Sequence, residues 1–227
     1  MPGIAEKIRL VQNQIASLKR PAGSSSDVQI ILVSKTVSVE RILEAHQNGG
    51  VHFGENRVQE LLEKKKQLPS TIQWHMIGSL QTNKVKAILG ETVLIHSVDR
   101  QELTEEIERQ AQKKGIPKVP CLLQFNLSRE ESKAGLMEED LPAFMEQALK
   151  CPRIDFQGVM TIGPFSQDCD KIRSVFRRAR ELKESLAQTY PQYDWKTLSM
   201  GMSSDYSVAI EEGSNCVRIG SAIFGAR

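Results

Sequence analysis

The chain has 227 residues, which is long enough for one large domain with a sizeable core. Hydrophobic residues make up 40% of it and charged residues 26%, a balance typical of globular proteins and not of disordered chains. Thirty Lys and Arg residues against 28 Asp and Glu give a formal net charge of +2, which carries no overall signal for nucleic-acid binding.

The first half of the chain predicts alternating helices and strands. An N-terminal helix within residues 1–20 carries an apolar stripe at helical spacing, and the Gly- and Ser-rich stretch 21–26 ends it. The next segment, 29–35, is continuously apolar up to its last residues, which is typical of a strand covered on both faces. The following predicted elements are a helix at 39–47, a strand at 51–53, a helix at 57–66, a strand at 73–77, a helix at 82–89 and a strand at 92–96.

The second half continues the same alternation. A helix over 100–114 is marked by Asp99 as its N-cap, Glu102 as the capping-box partner and Gly115 as its stop. The remaining predicted elements are a strand at 119–126, a helix at 138–150, a strand at 156–162, a helix at 169–189, a strand at 197–200, a helix at 206–211 and a strand at 216–219.

About eight βα units with no long linker predict an α/β fold, a single (β/α)8 TIM barrel with an extra N-terminal helix packed on it. We expect residues 1–227 to form one domain. A doubly wound sheet is the alternative. Its usual GxGxxG signature after the first strand is absent, and Ser34-Lys35-Thr36 stands there instead.

Cysteine and histidine spacing gives no metal signature. Cys121, Cys151, Cys169 and Cys216 contain no CxxC pair, and the four histidines form no HExxH motif. We therefore expect no metal, reduced thiols and a cytoplasmic location. No apolar run reaches the roughly 18 residues that a membrane-spanning helix needs, so we expect no membrane association.

In a barrel of this kind, the active site lies at the carboxyl ends of the strands. Lys35 ends the first strand, where its amine could form an imine, although a strand-end lysine can also simply extend into water. The segments 199–203 and 220–221 are rich in glycine and hydroxyls, which suits phosphate binding after strands seven and eight, and Arg218 adds a positive charge. A lysine facing a phosphate cup predicts pyridoxal 5′-phosphate as the cofactor.

Five motifs in this chain resemble those of the YggS family of pyridoxal phosphate homeostasis proteins, also called proline synthase co-transcribed proteins. They are LVSKT at 32–36, FGENRVQE at 53–60, WHMIGSLQTNK at 74–84, SMGMSSD at 199–205 and VRIGS at 217–221. The resemblance implies a barrel similar to the N-terminal domain of alanine racemase and a role in vitamin B6 homeostasis without a demonstrated catalytic activity. One departure is Val37-Ser38-Val39, where many relatives carry a basic residue and a proline.

The resemblance also implies roles for individual residues. Arg218 would reach either the phosphate or the ring nitrogen, two alternatives that the sequence leaves open. The implied cofactor-binding residues are Lys35 as the covalent Schiff base, Asn56 near the ring, and Ser199, Gly201, Gly220 and Ser221 around the phosphate. No catalytic residue is implied.

Three functions compete at this point. The favoured one is a monomeric carrier that holds pyridoxal 5′-phosphate and hands it to pyridoxal-phosphate-dependent apo-enzymes; the others are an amino-acid racemase and a cofactor-free Schiff-base aldolase. Racemisation needs a second acid–base group, which alanine racemase takes from a further domain. The sequence stops at Arg227, and Tyr206 is the one tyrosine near a strand end, so we expect no efficient racemase.

Three other features have simpler interpretations. Lys64-Lys65-Lys66 is typical of a solvated helix end. His75, near the third strand end, either touches ligand or hydrogen-bonds within the barrel. The segment 128–135 is interpreted as a polar loop over the same face.

Overall fold

The computed structural model describes residues 2–22 and 27–225; Met1, most of the predicted break at 21–26, and residues 226–227 lie outside the described residues. The strands are β1 Gln29–Val33, β2 His52–Glu55, β3 Gln73–Met76, β4 Leu94–Val98, β5 Val119–Phe125, β6 Ile154–Thr161, β7 Thr197–Met202 and β8 Cys216–Ile219. The helices are α1 Ile4–Ser17, α2 Val39–Gln47, α3 Val58–Lys65, α4 Val85–Ile88, α5 Gln101–Lys114, α6 Leu141–Ala148, α7 Cys169–Thr189, α8 Tyr206–Glu211 and α9 Ser221–Phe224.

The eight strands are parallel and close into a barrel in chain order, with β8 paired to β1. In that closing pair Ile31 lies opposite Arg218, and on the other side of β1 Val33 lies opposite Gly54. This topology confirms the (β/α)8 barrel and excludes the doubly wound sheet. It also brings the carboxyl ends of β7, β8, β1 and β2 together at one face.

Helices cover the outside of the barrel because their apolar stripes are buried against the outward side chains of the strands. In α1 the residues Ile4, Ile8, Val11 and Ile15 are all buried in the main core. The predicted N-terminal helix is therefore present and packs on the barrel. Within the parts of the chain that the structure describes, no helix combines the length and apolarity needed to cross a membrane.

The inside of the barrel is divided between apolar and polar side chains. Leu94, Leu122 and Met160 form a small cluster of their own, with Ile162 packed against it. The buried polar residues of the interior include His75, His96, Ser199 and Arg218. The second group lies beneath the face where the site is expected.

Helix ends account for most differences from the sequence predictions. The prediction of a capping box that begins at Asp99 is wrong. Arg100 is the N-cap of α5, and the Asp99 carboxylate pairs with the Arg100 guanidinium at 2.7 Å. That guanidinium also donates to the Leu80 carbonyl, so Asp99 is drawn away from the helix start. Gly115 ends α5 in the left-handed conformation, as predicted. The short helix α9 was not predicted.

Candidate functional site

Lys35 lies two residues after the end of β1 and is half-buried, and the turn that carries it is strained. Thr36 has a φ of 61°, a conformation that β-branched residues rarely adopt. The Thr36 N–H donates to Glu60 Oε1 at 2.6 Å, which holds the turn in place. Strained backbone of this kind persists only where surrounding contacts over-determine it, and it concentrates at functional sites.

A buried ion-pair cluster lies behind this turn. Lys64 Nζ donates to the Ser34 carbonyl at 2.7 Å, to Glu55 Oε1 at 2.8 Å and to Glu60 Oε1 at 2.6 Å. The Ser34 hydroxyl donates to the same Glu55 oxygen at 2.7 Å. The expectation of a solvated end at Lys64 is therefore wrong, because Lys64 is only 7% exposed and its ammonium group anchors the backbone of the residue before Lys35.

The two carboxylates of this cluster respond to burial differently. Burial raises the pKa of Glu55 above its usual range, even though Lys64 and Ser34 hydrogen-bond to it. Burial is the largest single influence on Glu60 and acts to raise its pKa, but the hydrogen bonds from Lys64 and the Thr36 N–H, with the charges of Lys64 and Arg57, together outweigh it and the pKa is lowered. Among the described residues, Glu55 Oε2 has no hydrogen-bond partner. The cluster thus depends on the Lys64 charge.

Arg218 lies in the barrel interior on the strand next to β1 and is 4% exposed. Its Nη1 donates to the Ser199 carbonyl at 2.8 Å and to Ser199 Oγ at 2.7 Å, and its Nη2 donates to the Thr161 carbonyl at 2.8 Å. Burial lowers the pKa of Arg218, and the Cys216 thiol and Asp205 carboxyl oppose this. Three of five guanidinium N–H groups are used, which leaves two for a ligand.

The backbone after β8 offers two N–H groups that already share one oxygen. The N–H groups of Gly220 and Ala222 both donate to Ser203 Oγ, each at 3.2 Å. Ser221, between them, is exposed at the first position of α9. Two backbone donors converging on one hydroxyl oxygen is an arrangement that can also accept a phosphate oxygen.

The side chain of Ser199 faces the barrel interior, and Gly201 packs against α8. Ser199 is fully buried, and its hydroxyl contacts Arg218 and His96 inside the barrel. Gly201 has a φ of +94°, and a Cβ there would lie 2.6 Å from the Ala209 Cβ. The glycine is therefore required by the close packing of α8, and phosphate binding by Ser199 and Gly201 stays a prediction.

Asn56 follows β2 and is half-buried, and close contact with the end of β3 fixes its backbone. A Cβ on Gly78 would lie 2.5 Å from the Asn56 carbonyl oxygen and 2.6 Å from its Cα. Only glycine permits this approach. The position of Asn56 thus depends on Gly78 in the neighbouring motif.

The predicted polar loop at 128–135 is held across the same face. Lys133 Nζ donates to the Gly163 carbonyl at 2.7 Å and to Glu130 Oε1 at 2.9 Å. Asp205 is buried nearby, and burial raises its pKa although a backbone N–H bond, Arg218 and Lys133 oppose the shift. Lys133 and Asp205 both line a cavity of about 440 Å³ beside the loop after β6.

Tyr206 is hydrogen-bonded to the N-terminal helix, and it lines a cavity of about 340 Å³ together with Ser203 and Ala222. Its hydroxyl donates to Gln14 Oε1 on α1 at 2.6 Å, and its ring is part of the main core. Burial raises the pKa of its phenol. The one tyrosine considered as a second acid–base group is thus committed to a helix on the outside of the barrel.

Sequence reasoning missed Lys64, Glu55 and Thr161, and it identified Ser203 only as part of the predicted phosphate-binding segment 199–203. The Glu60–Lys64 spacing of four residues on a helix, directly after a strand ending in Glu55, is a signal that could have indicated the first cluster. Thr161 acts through its backbone carbonyl, which has no sequence signature. Ser203 lies inside a recognised motif but depends on the β7 bulge between Ser199 and Met202 for its position.

Comparisons with known proteins agree with this geometry. The family model "Alanine racemase, N-terminal domain" matches residues 8–227. The pyridoxal phosphate homeostasis protein of Aquifex aeolicus is 42% identical over 224 residues, covering 98% of this chain and 97% of the relative. The human protein of the same name is 36% identical over 239 residues, covering 99% of this chain and 87% of the relative.

Solved structures give the same result. PipY of Synechococcus elongatus, with PLP bound, is 34% identical with a TM-score of 0.84 and covers 98% of this chain and 100% of that one. Alanine racemase from Bacillus anthracis shares the fold alone, at 16% identity and a TM-score of 0.76, over 99% of this chain and 56% of that one. The chain therefore belongs to the alanine racemase N-terminal domain family and, within it, to the pyridoxal phosphate homeostasis proteins.

Proposed function

We propose that this chain holds pyridoxal 5′-phosphate as a Schiff base on Lys35 and serves vitamin B6 homeostasis in the cytoplasm as a carrier. The curated relatives are pyridoxal phosphate homeostasis proteins by name, and the PipY structure contains PLP. The proposal transfers that binding to the residues of this chain.

The residues present fit a cofactor that is an aldehyde carrying a phosphate. Lys35 offers a half-buried amine on a turn that Glu60 and Lys64 hold in one conformation. The bond would join the lysine nitrogen to the aldehyde carbon, and the carbonyl oxygen would leave as water. The observation that carries the proposal is this clamped lysine beside the strand that bears Arg218.

We assign the phosphate to the N–H groups of Gly220 and Ala222, which share the Ser203 hydroxyl oxygen, with exposed Ser221 beside them. Ser199 is left out of this assignment because its hydroxyl is buried against Arg218. Arg218 itself is assigned to the ring nitrogen, since its guanidinium lies in the barrel interior and not among the loops. Asn56 stays assigned to the ring's surroundings.

A carrier is favoured over a racemase for two reasons. A guanidinium only donates hydrogen bonds, so Arg218 would keep the ring nitrogen unprotonated and weaken the cofactor's ability to accept electrons. Tyr206 is bonded to Gln14 and offers no proton to the opposite face of a substrate. Catalysis by this chain is therefore expected to be slow or absent.

The test is the absorbance spectrum of the protein with pyridoxal 5′-phosphate, before and after borohydride, followed by peptide mapping. We expect an imine band and a pyridoxyl group on Lys35, and we expect both to be lost in Lys35→Ala. The matched control is Lys133→Ala, because Lys133 lies on the same face and is bonded to Gly163. A label on Lys133 or Lys84 alone, or an unchanged band in Lys35→Ala, would refute the assignment.

We also infer a monomer that passes its cofactor to apo-enzymes. Among the described residues, large apolar side chains are exposed in five separate segments, which favours scattered surface residues over one interface. They are Leu10, Val51, Val93, Leu149 and Phe165. Light scattering should give the mass of one chain, and mixing loaded protein with a pyridoxal-phosphate-dependent apo-enzyme should restore its activity faster than free release allows. A dimer mass, or restoration at the release rate, would contradict this.

A further inference from the structure

A row of hydrogen-bonded histidines crosses the barrel interior. His52 Nδ1 lies 3.1 Å from His75 Nε2, and His75 Nδ1 lies 3.0 Å from His96 Nε2. His96 Nδ1 in turn lies 3.0 Å from Ser199 Oγ. Neighbouring rings meet edge to edge and are not stacked, with centroids 5.2 Å apart and planes at 62° and 68°. We call this set of four side chains the histidine chain.

The two buried histidines of the histidine chain, His75 and His96, are neutral at physiological pH. Burial, with the charge of His52 as a smaller cause, lowers the pKa of His75 to about 3. Burial, His75 and Arg218 hold the pKa of His96 well below its usual range. His52, half-buried at the other end, has its pKa lowered by burial as well. A neutral imidazole has one donor nitrogen and one acceptor nitrogen, so each ring links two neighbours.

Arg218 sets the direction in which hydrogen bonds are donated along the histidine chain. Its Nη1 donates to Ser199 Oγ, so that oxygen is an acceptor there and its hydrogen points elsewhere. The Cys216 thiol also reaches Ser199, but sulfur is a weak acceptor, and His96 Nδ1 is a strong one. The positive guanidinium further favours a lone pair over an N–H on the nearer ring nitrogen. His96, His75 and His52 then all carry their proton on Nε2.

We propose that the histidine chain positions Arg218. His96 fixes the rotation of the Ser199 hydroxyl so that a lone pair faces Arg218, and His75 and His52 fix His96 in the required tautomer. The three histidines are positioning residues, since they reach a ligand only through Ser199 and Arg218. Their effect on the cofactor depends on the function proposed above, but their effect on Arg218 does not.

The geometry explains why a single serine is not enough. The hydrogen-bond acceptors of Arg218 in the described chain are two carbonyls and one hydroxyl, and none of them is a carboxylate. A hydroxyl can rotate, and if its hydrogen turned toward Arg218, donor would meet donor. A strong acceptor at His96 removes that alternative, and a closed row of bonds keeps the acceptor nitrogen in place.

The histidine chain ends, at His52, on the opposite side of the barrel from Arg218. His52 begins β2 and lines a cavity of about 620 Å³ together with Gln29 and Asn215. The Gln29 side-chain amide faces His52, 2.9 Å from its Nε2 and 3.1 Å from its Nδ1, and a half-turn of the amide, which exchanges its nitrogen and oxygen, lets the oxygen accept from the His52 Nε2–H. A substitution at His52 therefore perturbs the far end of the chain without touching the surroundings of Arg218.

The test uses nitrogen-15 NMR of the full chain prepared without cofactor, at neutral pH. We expect three neutral imidazoles in the Nε2–H tautomer, and separate, slowly exchanging Nη signals for Arg218. His75→Leu should average the Arg218 signals and mix the His96 tautomers. His75→Gln, which can still donate and accept, should preserve both. The signals of His46, which lies on α2 and is not part of the histidine chain, are the internal reference.

The outcomes separate clearly. An Nδ1–H tautomer at His96, averaged Arg218 signals in the unaltered protein, or unchanged signals in His75→Leu would overturn the proposal. If His75→Leu does not fold, His52→Leu tests the same transmission from the half-buried end, with averaging of the Arg218 signals as the supporting result. Because no cofactor is present, these results stand whether or not Lys35 forms a Schiff base.

Discussion

Glu55 and Lys64 form an ion pair that is almost entirely removed from water. The side chain of Glu55 is fully buried, and Lys64 Nζ lies 2.8 Å from its Oε1. Burying two charges costs several kcal/mol, so such a pair is held for its geometry as much as for stability. Here the geometry is useful, because the same ammonium group holds the Ser34 carbonyl next to Lys35.

We predict that Lys64→Met destabilises the protein strongly, because it leaves the Glu55 carboxylate buried without its partner. The expected loss in free energy of unfolding is about 3 kcal/mol near pH 8, from chemical denaturation. The double variant Glu55→Gln with Lys64→Met removes the stranded charge and should recover at least half of that loss. Equal losses in the single and double variants would show that the charge of Glu55 is not the cause.

At the level of single residues, the sequence indicated which side chains carry the chemistry better than it indicated which residues hold them in place. Lys35 and Arg218 could be found because the barrel rule selects residues at strand ends. Ser199 and Gly201 belong to the same motif, yet one faces the barrel interior and the other packs on α8. A local bulge in β7 decides this, and side-chain direction after a bulge cannot be read from residue spacing.

At the level of elements, the sixth strand contains Gly158, which leaves less room for a Cβ than any other described glycine. Gly158 has a φ of +146°, and the register between β5 and β6 shifts there between Cys121 and Leu123. A Cβ on Gly158 would overlap the Thr197 carbonyl oxygen of β7 and lie 2.6 Å from its carbon. The bulge at this glycine therefore lets β7 approach β6.

We predict that Gly158→Ala costs several kcal/mol of stability, because the clash is with backbone that cannot move without breaking the β6–β7 pairing. The matched control is Gly49→Ala, where φ is +91° but a Cβ would meet nothing within 4 Å. The control should cost only about 1–2 kcal/mol, the strain of a left-handed residue. Thermal unfolding of the two variants measures the difference, and equal losses would show that strain alone sets the cost.

Element type was easier to predict than element ends. The regular alternation of short apolar segments with helices identified all eight strands, and the first, 29–35, was the clearest because both faces of a strand in a parallel barrel are covered. Ends depend on local competition: Asp99 lost its capping role to an ion pair with Arg100, and the predicted helix at 82–89 begins with a 3-10 turn at Thr82–Lys84. Such choices balance interactions of about 1 kcal/mol, which residue patterns do not resolve.

At the level of the whole molecule, the barrel interior combines an apolar cluster with a polar row that includes three histidines. The apolar part follows the usual filling of a barrel of this size. The polar part is a liability in acid, because protonating a buried imidazole breaks its row of bonds and places a charge in a dry interior. The interior that orders the site thus also limits the pH range in which the protein is stable.

We predict that the free energy of unfolding falls as the pH drops below about 6.5, the ordinary pKa of histidine. The folded-state pKa of His75 is about 3 and that of His96 is well below its usual value, so the unfolded chain binds more protons between these limits. The stability that each such histidine contributes is complete above pH 6.5 and is lost on acidification. Below that pH, the free energy of unfolding falls by up to about 1.4 kcal/mol per pH unit for each of them. The raised pKa of Glu55 acts with the opposite sign, but it is common to every variant compared. Denaturant titrations of the unaltered protein and of His75→Gln, at pH values from 7.5 to 5, should therefore converge as the pH falls, with the variant's curve shallower by about one proton. Parallel curves would mean that His75 takes up its proton as easily in the folded barrel as in the unfolded chain.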